Sequence, residues 1–278
     1  MSVDDKTAAA FASSWNNLPS GSVYTTAQFE DWLAPLTKRD VEGRRVLELG
    51  CGNGSLLEHM AAWKPAELVG VDLGDSVLSA TENLRSTGHP NARVVKADLV
   101  AFRSEGFDVT YCIGVLHHLK EPDKGFDSVV ANTRSGGSFH CWVYGKEGNA
   151  LVRFVVEPTR LIASRLPWWF TKYLIATPLV APYYVYAKLI NALSGGAPAW
   201  LQAILKRLPL HDYSRWIAQR DFFFFRHVAF DQLVTSQTRY ISREEIQAWL
   251  DGQPGVDPAT TYIVQRNGNS WKFGGRTR

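Results

Sequence analysis

Short apolar runs alternate with longer amphipathic stretches through the first half of the chain, and this alternation predicts the fold. "RRVLELG", "ELVGVDL", "ARVVKADL", "FDVTYCIGVLHHL" and "GGSFHCWVYG" read as five strands in order. Between them "SLLEHMAAW", "SVLSATENLRSTG" and "KGFDSVVANT" carry apolar residues at helical spacing. Strands that are apolar on both sides and separated by helices imply a parallel sheet covered on both faces.

The flanks follow the same code. "TTAQFEDWLAPL" places Phe29, Trp32, Leu33 and Leu36 on one helical face, with Thr25 or Thr26 as N-cap. Near the other end, "SREEIQAWLD" predicts a helix capped by Ser242, with Glu245 completing a capping box. "TTYIVQRN" and "SWKFGGR" then read as closing strands of an antiparallel hairpin around "RNGN".

The alternation stops after Gly148. Residues 151–230 hold ten Lys or Arg against three Asp or Glu, and 16 of the 34 aromatic residues. The pattern there is helical and punctuated by proline, which predicts an inserted helical cap that is basic and aromatic. The four phenylalanines of "DFFFFRH" are expected in its core. The expected organisation is an N-terminal helical segment at 1–42, a core at 43–150, the inserted cap at 151–230, and the closing helix and strands at 231–278.

Composition narrows the class. The chain has 278 residues, 45% of them hydrophobic and 21% charged, which suits a well-packed α/β domain with an insertion. A net charge of +3 names no partner. Three cysteines, Cys51, Cys112 and Cys141, have no metal-site spacing and no even count for a disulfide framework, so no metal and a reducing, cytoplasmic setting are expected. The first residues lack the basic and apolar regions of a signal peptide. "YLIATPLVAPYYVYA" is uncharged, yet short for a spanning helix and interrupted by two prolines. Contact of residues 166–190 with a membrane surface remains open, beside a lid over an apolar acceptor.

The chemistry gathers around "VLELGCGNGS". Gly50, Gly52 and Gly54 stand at a strand-to-helix turn, where bare backbone can bend sharply and lie close to a ligand. The third glycine is misplaced for the dinucleotide pattern G-x-G-x-x-G. Glu48 is unhelpful to a pyrophosphate but compatible with a positively charged ligand. Asp72, ending strand two, can take two ribose hydroxyls, and Asp98, ending strand three, can accept from an adenine-type amine with Leu99 against the ring. Strand four brings Ile113 and Gly114 close by. The plain alternatives are a tight packing turn for the loop and helix N-caps for Asp72 and Asp98.

"LELGCGNGS", "VGVDL", "KADL" and "CIGVLHHL", in this order and spacing over residues 44–145, resemble the class I S-adenosylmethionine-dependent methyltransferases. The resemblance implies a Rossmann-like, doubly wound, seven-stranded and mostly parallel sheet with a terminal antiparallel hairpin. It implies S-adenosyl-L-methionine as cofactor, with S-adenosyl-L-homocysteine as product. Glu48 and the loop Gly50, Cys51, Gly52 and Gly54 then face the methionine moiety, Asp72 the ribose, and Asp98 with Leu99 the adenine, with Leu73 and, near the glycine loop, Ile113 and Gly114 as further cofactor-binding positions. A weaker likeness of "FDQL…TRYISREEIQAWL" points to enzymes acting on small molecules.

On the acceptor side, His117 and His118 follow strand four and have a suitable pKa for a general base, needed only for an OH or a protonated amine. Either ring can instead cap a helix or pack in the core. Tyr144 ends strand five at the same mouth. Trp15, Tyr24 and Phe29 are candidate walls over the cofactor, or else plain packing. Arg226, His227 and Asp231 after the phenylalanines, and Arg239 and Tyr240 in the tail, are candidate acceptor contacts. The expected function is methyl transfer to a small apolar or anionic organic acceptor, at oxygen or nitrogen. The competing readings are a methyltransferase of tRNA or another nucleic acid, and a non-catalytic S-adenosylmethionine-binding protein. No RNA module and no Asp/Asn-Pro-Pro-Tyr type motif is present, no DNA partner is expected, and the oligomeric state is open.

Overall fold

The computed structural model describes residues 24–86, 88–235 and 237–278. The chain divides into two compact units: Met1–Tyr144 with Gln237–Val264 and Trp271–Arg278, and Gly145–Ser236 with Gln265–Ser270. Trp15 and the first part of the expected N-terminal segment lie outside the described residues.

The first unit begins with α1 (Thr26–Leu33) and the short α2 (Lys38–Val41). Thr25 caps α1 by accepting from Gln28 N at 3.3 Å. Phe29, Trp32 and Leu33 are buried as the spacing predicts, but the helix ends before Pro35, so Leu36 lies beyond it. Then follow β1 (Arg45–Leu49), α3 (Ser55–Ala61), β2 (Glu67–Asp72), α4 (Ser76–Ser86), β3 (Ala92–Lys96), β4 (Phe107–Ile113), α5 (Pro122–Ala131) and β5 (Thr133–Tyr144). Pro122 opens α5, where its missing N–H costs nothing.

Strands lie in the order β3-β2-β1-β4-β5-β7-β6, where β6 is Val256–Arg266 and β7 is Ser270–Thr277. The pairs β3-β2, β2-β1, β1-β4 and β4-β5 are parallel. The sheet is therefore the seven-stranded, mostly parallel one expected, closed by the β6–β7 hairpin. Its turn is Asn267-Gly268, with φ of 51° and 67°, the left-handed pair that a two-residue hairpin requires.

Side chains alternate between two cores, one on each face. Leu47, Leu49, Val69, Val71 and Cys112 pack with Phe126 of α5 and Ile246 of the last helix. Val46, Leu68, Tyr111, Ile113 and Trp142 pack with α1 and with Leu57 and Met60 of α3. Burial on both faces explains why the strands read as apolar runs without alternation.

The second unit is helical: α6 (Ala150–Ala163), α7 (Trp168–Phe170), a wider π-type turn Thr171–Ala176 leading into α8 (Thr177–Ser194), then α9 (Ala199–Leu205), α10 (His211–Ile217) and α11 (Phe222–Val234). It is somewhat larger than the expected insertion. Two expectations are corrected here. The prolines do not break the apolar segment, because Pro178 occupies the first turn of α8 and Pro182 is carried inside it. The four phenylalanines are not all core, since consecutive helical positions point about 100° apart; Phe225 is buried and Phe223 is 68% exposed. Among the described residues, no helix is long and apolar enough to cross a membrane. The last helix of the chain, α12 (Arg243–Asp251), returns to the first unit with the Ser242–Glu245 capping box in place.

Candidate active site

The β1–α3 turn is built on left-handed backbone. Gly50, Gly52 and Gly54 have φ of 82°, 53° and 81°. A Cβ on Gly50 would sit 2.4 Å from Val115 Cγ2, and one on Gly54 would sit 3.1 Å from Ala80 Cα. Gly52 meets nothing within 4 Å, so only its φ demands glycine. The main chain is tied to the neighbouring strand by Gly50 N and Cys51 N, which both donate to Val71 O. The Cys51 side chain turns inward, its Sγ 2.9 Å from where a Cβ on Gly70 would be, so Gly70 makes room for it. Sequence reading had not singled out Gly70.

Asp72 closes on this loop from the end of β2. Its Oδ2 accepts from Gly52 N at 2.9 Å, and its Oδ1 from Gly74 N at 2.8 Å and Ser76 Oγ at 3.2 Å. A carboxylate offers about four acceptor sites, so Oδ2 keeps one for a hydroxyl. The acid thus shapes the loop. Leu73 follows it, partly exposed.

Glu48 is 1% exposed, and its Oε2 accepts from Tyr111 Oη at 2.8 Å. Burial pushes its carboxyl pKa up to about 8, against the pull of the Tyr111 bond, and the charge of Asp72 adds to the rise. It lies on the sheet face that packs α1, where Gln28 is 2% exposed and its side-chain Oε1 and Nε2 make no hydrogen bond. The Trp142 indole Nε1 on the same face is also buried without a partner. These two polar groups on apolar positions left no signal in the sequence.

On β3's side, Asp98 is exposed and its Oδ1 accepts from Val100 N at 2.8 Å, fixing the turn after the strand. Leu99 is 6% exposed within the apolar core. Ile113 is buried, and Gly114 has φ 78° with a Cβ position 3.5 Å from the Trp142 ring.

Beyond β4, a single turn, Leu116–His118, delivers both histidines into an aromatic cluster. The His117 ring lies 4.2 Å from those of His118 and Tyr144 and 6.1 Å from Trp142. His117 Nδ1 accepts from Tyr144 N at 3.4 Å, so the neutral ring carries its hydrogen on Nε2. His118 has the reverse arrangement. Its Nδ1 is 3.1 Å from the carbonyl of Gln237, which can only accept, and 3.1 Å from Thr238 Oγ1. Its hydrogen is therefore on Nδ1 and its lone pair on Nε2, the form of a base.

The tail segment completes this cluster. Arg239 N donates to His117 O at 2.8 Å, and the Tyr240 ring stacks 6.2 Å from Tyr144. The Arg239 guanidinium is held by Glu245 at 3.1 Å. Tyr24 packs edge-on to Trp32 and accepts from His59 Nε2 at 2.8 Å through its carbonyl, and Phe29 stacks on His59 and meets Trp63 edge-on. Arg226, His227 and Asp231 belong to the second unit. There Arg226 stacks over Tyr173 and Phe223, and His227 Nε2 lies 3.2 Å from Asp231 Oδ2.

Known proteins resemble this chain in sequence and in fold. Residues 47–139 match the sequence family described as a methyltransferase domain. A ubiquinone biosynthesis O-methyltransferase of Paraburkholderia phymatum is 32% identical over 131 residues, covering 45% of this chain and 54% of that one. An uncharacterised Synechococcus protein is 32% identical over 124 residues, covering 42% of this chain and 30% of that one. The chain thus spans about half the length, or less, of these curated relatives. In fold, a magnesium protoporphyrin IX methyltransferase from Synechocystis PCC 6803, solved with bound SAH, matches over 99% of this chain and 98% of its own, at a TM-score of 0.54 and 14% identity.

Proposed function

We propose that this chain is a class I S-adenosylmethionine-dependent methyltransferase that transfers the methyl group to a small, apolar or anionic organic acceptor at oxygen or nitrogen; the match of residues 47–139 to a methyltransferase domain supports the reading. The observation that carries this reading is the junction of Asp72 with Gly52 N at 2.9 Å, which sets the acid of the second strand against the left-handed glycine loop of the first.

The residues present suit this cofactor. Asp72 retains an acceptor site for a ribose hydroxyl, and the buried Glu48 carboxyl gains by ionising beside a cation. The Gly50–Gly54 main chain allows close approach. S-adenosylmethionine supplies a methyl group made electrophilic by its sulfonium. What the protein adds is placement and exclusion of water, which together account for much of the acceleration in such in-line displacements.

Within the aromatic cluster, the two histidines divide the work on an acceptor bearing a hydroxyl. His117 Nε2–H donates a hydrogen bond and orients the acceptor oxygen. His118 Nε2 takes the proton that the oxygen sheds, while its Nδ1–H stays anchored to the Gln237 carbonyl. Bound S-adenosylmethionine would offer this oxygen's lone pair its methyl carbon and keep the carbon–sulfur electron pair on sulfur. The aromatic surroundings, Trp142, Tyr144 and Tyr240, favour an acceptor with an apolar body. The O-methyltransferase relatives support oxygen as the atom methylated.

Isothermal titration with S-adenosylmethionine tests the reading directly. Wild type is expected to bind, and Asp72→Ala to bind at least tenfold more weakly, since losing a charge-assisted hydrogen bond costs about 1.5–3 kcal/mol. Absence of binding by wild type overturns the proposal.

A further inference from the structure

The second unit exposes an unusual amount of apolar surface. Among the described residues, twelve of the sixteen exposed large hydrophobic ones lie between Pro158 and His211. They are ordered along the helices. On α8, Val185, Leu189 and Leu193 recur every fourth residue, continuing one stripe. On α9, which packs against α8, Trp200 is 66% exposed and Ile204 follows at the same spacing, with Leu208 exposed just beyond the helix. Leu161 and Ile162 stand out from the end of α6, and Trp168 and Trp169 from α7.

The charge of this segment is one-sided. From residue 158 to residue 211 there is no Asp or Glu, against six basic residues: Arg160, Arg165, Lys172, Lys188, Lys206 and Arg207. A solvated helix surface normally mixes both signs. Here tryptophans, aliphatic stripes and cations share one segment from which acids are missing.

We infer that the α6–α9 helices of the second unit rest on the surface of an anionic lipid bilayer. The aliphatic stripes enter the boundary between headgroups and acyl chains, the tryptophans settle at the headgroup level, and the exposed Arg165, Lys206 and Arg207 face lipid phosphates, whereas Arg160 is buried against the Gln232 carbonyl. Since no described helix can cross a bilayer, the contact is with one leaflet. Complementary charge favours lipid over a second copy of this chain, which would bring the same basic segment against itself. The inference does not depend on the methyl-transfer reading, because it rests on exposure and charge in the other unit.

Flotation with vesicles tests it. The full chain is mixed with vesicles of phosphatidylcholine alone, or of phosphatidylcholine with phosphatidylglycerol, and spun through a density gradient. Wild type is expected to rise with the anionic vesicles and much less with the neutral ones. Neutralising Lys206→Gln and Arg207→Gln together is expected to weaken binding about thirtyfold, as each basic residue near an anionic surface contributes about fivefold. Trp168→Ser with Trp169→Ser and Trp200→Ser is expected to weaken it at least tenfold. These side chains are exposed, so the variants keep the wild-type circular dichroism spectrum.

Tryptophan emission supplies a second readout. Brominated lipid in the anionic vesicles should quench wild type and leave the triple tryptophan variant largely unquenched. Wild type that stays at the bottom of the gradient with both vesicle types overturns the inference. So does a wild-type dimer in light scattering that the tryptophan substitutions convert to monomer without any lipid binding, since that would make the face an interface between copies.

Discussion

Tyr111 donates its phenolic hydrogen to Glu48 Oε2 at 2.8 Å, in a sheet face closed to water. The bond stabilises the carboxylate but does not outweigh burial, and the Glu48 pKa stands at about 8. At neutral pH the unliganded protein therefore holds Glu48 mostly protonated. A cationic ligand reverses that preference and drives the proton off. Titration of S-adenosylmethionine at pH 7 in buffers of different ionisation enthalpy should show proton release approaching one per site, and affinity should rise with pH up to about 8. Glu48→Gln should bind with no release. Buffer-independent heats for wild type would remove Glu48 from the binding site.

The same residue sets the alkaline limit of the unliganded fold. A carboxyl whose folded pKa lies above its unfolded value contributes stability that is lost as pH rises through the folded pKa, here about 8. Glu48→Gln has no charge to bury. Its melting temperature should fall less than that of wild type between pH 7 and pH 9.

His140 gives the opposite slope. It is fully buried, its Nε2–H donating to Trp32 O at 2.7 Å while its Nδ1 accepts from Tyr262 Oη at 2.5 Å. Burial pushes its pKa down to about 4, below the ordinary 6.5. The unfolded chain binds the proton first, so stability falls as pH drops from about 6.5 to about 4, by about 3 kcal/mol in all. Denaturant melts across this range should show the decline, and His140→Gln should flatten it.

Glycine positions in the loop should differ in tolerance. Gly50→Ala combines a left-handed φ with a Cβ 2.4 Å from Val115, whereas Gly52→Ala has the φ alone. The left-handed conformation costs about 1–2 kcal/mol per residue. Gly52→Ala should lose about that much stability in urea melts. Gly50→Ala should lose more and bind S-adenosylmethionine poorly, because Val115 must move.

The two histidines should separate by kinetics. Once an acceptor is in hand, His118→Ala is expected to lower turnover by about 10²–10⁴-fold, the usual worth of a general base, with S-adenosylmethionine affinity unchanged. His117→Ala should raise the acceptor KM and lower turnover less, since that ring only orients the oxygen. Unchanged turnover in both variants would remove the histidines from the chemistry.

The sequence by itself determined the core strands and their order along the chain, because burial on both faces leaves short apolar runs, and here amphipathic helices separate them at regular intervals. It also determined the glycine loop and the acids at the tips of β1, β2 and β3, since each is a local requirement of one turn or one strand end. The capping box at Ser242 and the Asn267-Gly268 turn were legible for the same reason. Tertiary structure alone decided what those groups touch. Which nitrogen of His117 and of His118 carries hydrogen depends on Tyr144 N and on the Gln237 carbonyl, the latter more than a hundred positions away along the chain. The raised pKa of Glu48 comes from the closed face around it, with the charge of Asp72 adding to it, and Gln28 looks like any polar residue on a helix until its burial is seen. Periodicity records which side of an element faces inward. It carries no information about which distant partner waits there, and partners set protonation.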